Sequence, residues 1–207
     1  MQKTGRDLVI PSSLLVKSKQ GITQIVAGEP EGDMPRKRQA LKMLDDRSVS
    51  PDKREMKSLQ DTYAPNGRCF GCGPKNEKGL KIQSFVKDQE VVAEFLPQPH
   101  HEAFENVLNG GIIGSVLDCH CNWAAAHFLM QYHLQQTAPC TVTAQYTIKL
   151  LKPTPSHEKL QLVAKLDKID HDRAWITGEL RSGDKVCATC HGLFVAVKPD
   201  HPAYHRW

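Results

Sequence analysis

The sequence predicts an α+β domain in which a curved antiparallel β-sheet wraps around one long buried central helix. Three observations carry this. Short β-prone runs follow one another with turn-length gaps, one long helical run lies among them, and that run is apolar on every side of the helical wheel. Consecutive strands joined by short turns form an antiparallel sheet, and its buried face needs a partner. With one long helix available, the economical solution is a sheet curved around it.

Taken in order, residues 1–58 read as an N-terminal extension. They mix Pro, Ser, Gly and charge (GEPEGDMPRKRQ, DDRSVSPDKREMK), and the apolar patches LVIPSSLLV and ITQIVA are too brief to form a core. A partly disordered segment is expected there, with one short helix around residues 35–45. A second helical turn is expected from Pro51 towards Leu59, ended by APNG at 64–67. The main domain is placed at 59–207. GLKIQSF (79–85) and EVVAEFL (90–96), separated by KDQ, suggest a hairpin. PQPHHEAFENVL reads as a polar loop, in which His100, His101 and Glu102 are expected near the mouth of a pocket. The helix follows from about Gly110 to His133. Four strand-like runs complete the chain at 141–151, 159–169, 173–181 and 185–197, with PTPSHE, DHD and SGD as turns between them.

Charge excludes one function class. The chain holds 27 Lys and Arg against 23 Asp and Glu, of which residues 1–60 contain 12 and 8, so the remainder carries 15 of each. A neutral main domain lacks the basic face of a nucleic-acid module, and Arg36–Arg38 reads as a solvated linker. No apolar run reaches the ~18 residues of a membrane span. The start has no clean apolar signal region and contains Asp7, so a cytoplasmic location is expected, with a degenerate organelle transit peptide as the open alternative. Seven cysteines without a secretory signal read as reduced thiols.

The helix carries the chemistry. NGGIIGSVLDCHCNW (109–123) places two glycines at the helix start and one carboxylate, Asp118, within an apolar surround. An ionised Asp is costly there, so it is either paired or at work. Backbone N–H groups at a helix N-terminus supply oriented donors for a developing oxyanion, and glycine lets that backbone approach a substrate carbonyl. Asp118 lies about 12 Å further along by helix rise, too far to serve the same carbonyl within one chain. Asn122, four residues on, shares its face and is placed to orient Asp118 or a water; His120, two residues on, does not. His120 reads as a satisfied core or interface histidine ahead of a supporting role at the site.

The chain from about Leu59 resembles the hotdog-fold acyl-coenzyme A thioesterases of the phenylacetate-pathway (PaaI-like) superfamily. The resemblance rests on CFGCGPKNEKGLKI at 69–82, on HHEAF at 100–104 and above all on NGGIIGSVLDCHCNWAA at 109–125. It implies hydrolysis of an acyl-coenzyme A or a related acyl thioester. Asp118 would act as general base or nucleophile, with the amides of Gly110 and Gly111 as oxyanion site. It also implies a homodimer or tetramer in which the glycine amides of one subunit face the Asp of its neighbour, with no cofactor. Asn109 stands where the family has a His, and an amide donor there supports the site without a pH switch. Aligning TVTAQYTIKLLKP through Pro153 places Thr143 where the family often has a hydroxyl that positions water, although a sheet-surface threonine is an equal reading.

Other readings stay beside it. Asp118 and the glycine pair are also explained by a buried carboxylate bonded to backbone at a close-packed helix start. A non-catalytic acyl-thioester binding module is the principal rival, favoured by the missing His. A hydratase on the same fold would need a paired Asp and His on the preceding loop, which are not evident. A cysteine–histidine hydrolase built on Cys119 or Cys121 with His120 is disfavoured because adjacent helical residues diverge. Cys69/Cys72 and Cys187/Cys190 have the outline of two half-sites for zinc, but the second pair lies in a strand where i and i+3 face opposite ways, so no metal is expected.

Overall fold

The computed structural model describes residues 57–204. The short helix expected at 35–45, and all of the extension before Lys57, lie outside the described residues. Ser58 caps the first helix, α1 (Leu59–Tyr63), by accepting a 3.0 Å bond from the Asp61 amide. Strands β1 (Gln83–Lys87) and β2 (Glu90–Phe95) form the expected hairpin, turning at Asp88, whose φ is 54°. β1 begins four residues later than the alternation suggested. The amides of Leu80 and Ile82 bond instead to the carbonyls of Phe70 and Gly71, and Lys81 has a left-handed φ of 53°, so that segment braces the cysteine-rich turn rather than joining the sheet.

The polar stretch 97–108 is more ordered than a loop. It makes a 3₁₀ turn at Pro99–His101 and then a small separate hairpin of β3 (Glu102–Phe104) and β4 (Val107–Leu108) around Asn106 at φ 63°. The long helix α2 runs Gly110–Tyr132 as expected. β5 (Thr141–Leu150), β6 (Leu160–Asp170), β7 (Arg173–Ser182) and β8 (Lys185–Ala196) match the four predicted runs to within one or two residues.

The main sheet has six antiparallel strands in the order β1-β2-β6-β7-β8-β5. The crossover through α2 carries the chain from β2 to the far edge, which leaves room for β6 beside β2. All six strands contact α2, so the sheet wraps the helix. Register matches core residue to core residue: Leu162 pairs with Leu180, Ala174 with Phe194, and Leu180 with Ala188. These side chains and Val116, Leu117, Ala124–Ala126 and Leu129 of α2 are fully buried. At Gly178 the sheet comes close to the helix: a Cβ there would lie 2.4 Å from Cys121 Sγ. That glycine sets the distance between the layers.

Candidate active site

Asn109 is the N-cap of α2, and its Oδ1 accepts a 2.7 Å bond from the Gly111 amide. This is the usual role of an asparagine before a helix, because the first-turn amides have no partner within it. It also occupies one of the two donors expected for an oxyanion. The His101 carbonyl takes the Asn109 amide, and the His101 ring stacks on Phe95 with Nδ1 accepting from the Gln98 amide. The HHE stretch therefore braces the helix start. It does not line the pocket that contains Asp118.

That pocket has a volume of about 610 Å³ and is bordered by Asp118, Cys119, Asn122 and Trp123 of α2, by Thr141–Thr143 of β5, and by the turn around Cys69 and Cys72. Asp118 is half-buried and accepts a 2.7 Å bond from Thr143 Oγ1. Thr143 Oγ1 in turn accepts from Asn122 Nδ2 at 3.3 Å, and Thr141 Oγ1 donates a short bond to Asn122 Oδ1. Every proton in this relay points towards the carboxylate, an arrangement that favours its ionised form. Burial acts the other way and is stronger, so the Asp118 carboxyl is held above the usual range despite the Thr143 bond, with the charge of Cys69 adding to the rise. A carboxylate with raised proton affinity beside an open pocket has the character of a general base.

Asp118, Asn122 and Thr143 are thus brought together. A bulge between Thr143 and Gln145 marks the point where β5 changes register against β8. Gly110 and Gly111 lie two turns away on the same helix and do not border this pocket. His120 is fully buried on another face: its Nε2–H donates to the Val91 carbonyl at 3.1 Å, and Nδ1 accepts from Ser84 Oγ at 2.9 Å. Gln60 Nε2 donates to Ser84 Oγ at 3.1 Å, which closes a network tying α1, β1 and β2 to the helix. Burial lowers the His120 pKa to about 4, and the ring is a neutral structural group away from the pocket.

Sequence reasoning missed Thr141 and the cysteine-rich turn as walls of the site. Thr141, two residues before Thr143 in one strand, could have been found from strand alternation. The cysteines are distributed differently from the sequence pairing. Cys190 neighbours Cys121, whereas Cys69 and Cys72 meet Cys119 of the helix.

No family model matches the sequence, and no curated protein does. Solved structures do. A thioesterase superfamily protein superposes over 81% of this chain and 81% of its own at a TM-score of 0.53, with 21% identity. The domain has the hotdog fold. A thioesterase superfamily protein from Shewanella loihica is 28% identical over 56% of this chain and 91% of its own, at a TM-score of 0.48. The E. coli PaaI protein from the phenylacetic acid degradation operon is 16% identical over 57% and 81%, at 0.49. In the hotdog frame, α2 is the central helix and β5 is one edge of its sheet. Among the described residues, no helix is long and apolar enough to cross a membrane.

Proposed function

We propose that this hotdog domain hydrolyses an acyl thioester, an acyl-coenzyme A or an acyl-carrier conjugate, with Asp118 as the activating carboxylate. The observation that carries this is the Thr143-bonded, half-buried Asp118 at the wall of a 610 Å³ pocket. As general base, Asp118 takes a proton from water, the hydroxide adds to the thioester carbonyl, and collapse expels a thiolate that recovers the proton. As nucleophile, the carboxylate attacks the carbonyl and expels the thiolate, leaving an anhydride that water cleaves to the free acid and the regenerated Asp118, the released proton going to the thiolate. Either route needs an oxyanion donor. The Gly110 amide, backed by the helix dipole, is the candidate, since Asn109 already engages Gly111.

Because Gly110 is about 12 Å from Asp118 along one helix, the donor comes from a second copy. The edge strand supports this. β5 begins beside Asp118 and ends beside Gly110, where a Cβ on that glycine would lie 3.2 Å from Leu150 Cδ1. Antiparallel pairing of two β5 edges about a two-fold axis near Tyr146 and Thr147 sets Thr143 of one copy opposite Leu150 of the other. Each carboxylate then meets the other copy's helix start. Tyr146, Leu150 and Leu151 are exposed on and beyond this strand, apolar surface that such pairing covers. A cytoplasmic homodimer or tetramer is the corresponding assembly.

A binding module that holds an acyl thioester without cleaving it is the second reading, favoured by the capped Gly111 amide. A panel of acyl-coenzyme A substrates, read by release of free thiol, separates the two. Turnover that depends on Asp118 supports hydrolysis. Saturable binding without turnover across the panel supports the module.

A further inference from the structure

The sulfurs of Cys69, Cys72 and Cys119 lie within 4.8 Å of one another, and Cys69 Sγ and Cys119 Sγ are 3.6 Å apart. Three thiolates bound to one zinc ion at about 2.3 Å stand about 3.8 Å from each other in a tetrahedral site, so the cluster already has nearly that spacing. The turn that delivers two of them is built for it. In Cys69-Phe70-Gly71-Cys72-Gly73 the Gly73 amide closes the turn on the Cys69 carbonyl at 2.9 Å. Trp123 Nε1 donates to Cys72 Sγ at 3.3 Å. N–H groups aimed at sulfur favour the thiolate, the form that ligates metal.

Both glycines of the turn are required by close approach. A Cβ on Gly71 would lie 2.3 Å from Cys119 Sγ, and one on Gly73 would lie 2.4 Å from the Cys69 nitrogen. The turn is therefore pressed against the helix at the third thiol.

We propose that Cys69, Cys72 and Cys119 form a three-thiolate zinc site whose fourth position opens into the pocket that holds Asp118. Binding displaces the protons of the thiols that ligate the ion to solvent, and no redox step is involved. Three protein ligands with an open position are the pattern of a zinc ion that meets a ligand rather than one that only braces a fold. The site stands on its own geometry, whether or not the pocket hydrolyses thioesters.

The test uses the full chain, reduced with a phosphine, stripped by chelator and titrated with cobalt(II) and then zinc. About one equivalent of cobalt per chain is expected, with thiolate-to-metal charge-transfer absorption that zinc abolishes. Cys69→Ser and Cys119→Ser should each lower metal content at least about fivefold, and Cys140→Ser, outside the cluster, should keep it. Cys69 is exposed, so its variant is expected to fold even if the Cys119 change does not, and circular dichroism checks this. Absence of charge-transfer absorption in the reduced protein overturns the proposal, as does uptake unchanged in folded Cys69→Ser. A Cys69–Cys119 disulfide formed on mild oxidation, in a protein that takes up no metal when reduced, overturns it too and assigns the cluster to thiol redox chemistry.

Discussion

Thr143 Oγ1 donates a 2.7 Å hydrogen bond to Asp118 Oδ1, joining the start of an edge strand to the long central helix. This bond fixes one carboxylate oxygen and leaves the rest of the group facing the pocket. Asp118→Asn keeps the volume and an oxygen to accept from Thr143, but it removes the proton acceptor. Thioester turnover should fall by about 10²-fold or more with the fold intact. Turnover within about threefold of wild type would remove Asp118 from the mechanism.

Thr143→Val keeps the shape of the side chain and deletes the donor. Turnover is expected to drop about tenfold, the scale of one hydrogen bond to a charged group. Thr143→Ser should restore most of it. Equal activity in the Val and Ser variants would reduce Thr143 to a packing residue.

At the helix–sheet contact, Gly178→Ala drives a methyl to 2.4 Å from Cys121 Sγ. A loss of about 1–3 kcal/mol is expected in denaturant unfolding. Adding Cys121→Ala should recover part of it, because the two positions are coupled through one contact. Simple additivity of the two losses would show that the clash is relieved elsewhere.

His120 is held neutral by burial, with a pKa of about 4 in the folded protein against about 6.5 for a free side chain. Between these values the unfolded chain binds more protons, so this contribution is complete above about pH 6.5 and is lost as pH falls towards 4, by roughly 3 kcal/mol. His120→Gln, which keeps one acceptor for Ser84 and one donor for Val91, should show a shallower decline of the urea midpoint over that range. Parallel curves for the two proteins would assign the acid sensitivity to other groups.

The shared site is tested by mixing. Asp118→Asn and Gly110→Val should each be inactive alone. In a mixed dimer one site receives both lesions and the other neither, so random exchange restores roughly one quarter of wild-type sites. With folding and subunit exchange verified by mass spectrometry of tagged chains, continued inactivity would sink the two-subunit arrangement.

The strands were legible because their inner positions alternate, as Leu160, Leu162 and Ala164 do, and the helix because its apolar residues surround the wheel. GLKI alternates equally well and still failed as the start of β1, since its amides are claimed by Phe70 and Gly71, partners that only the folded turn brings near. Asp118 and Asn122 were readable from helical spacing. The aim of Thr143 was not, because which face of β5 turns to the helix is set only when the sheet closes around it. The capped Gly111 amide was readable in principle, as Asn is a preferred N-cap. The meeting of Cys119 with Cys69, fifty residues apart in sequence, was not, for it depends on which face of the helix the turn covers.

A helix buried on every face but the one along the pocket has consequences for how this pocket can diverge. Turning α2 by a single residue would swing Asp118 by about 100° and at the same time uncouple Cys121 from Gly178 and His120 from Ser84. The helix is therefore a frozen part of the design. Novelty in what the pocket accepts has to enter from its other walls, through residues such as Asn66, Arg68, Pro74 and Val142. Those positions lie off the helix, and a library confined to them is the economical route to changing what the pocket accepts.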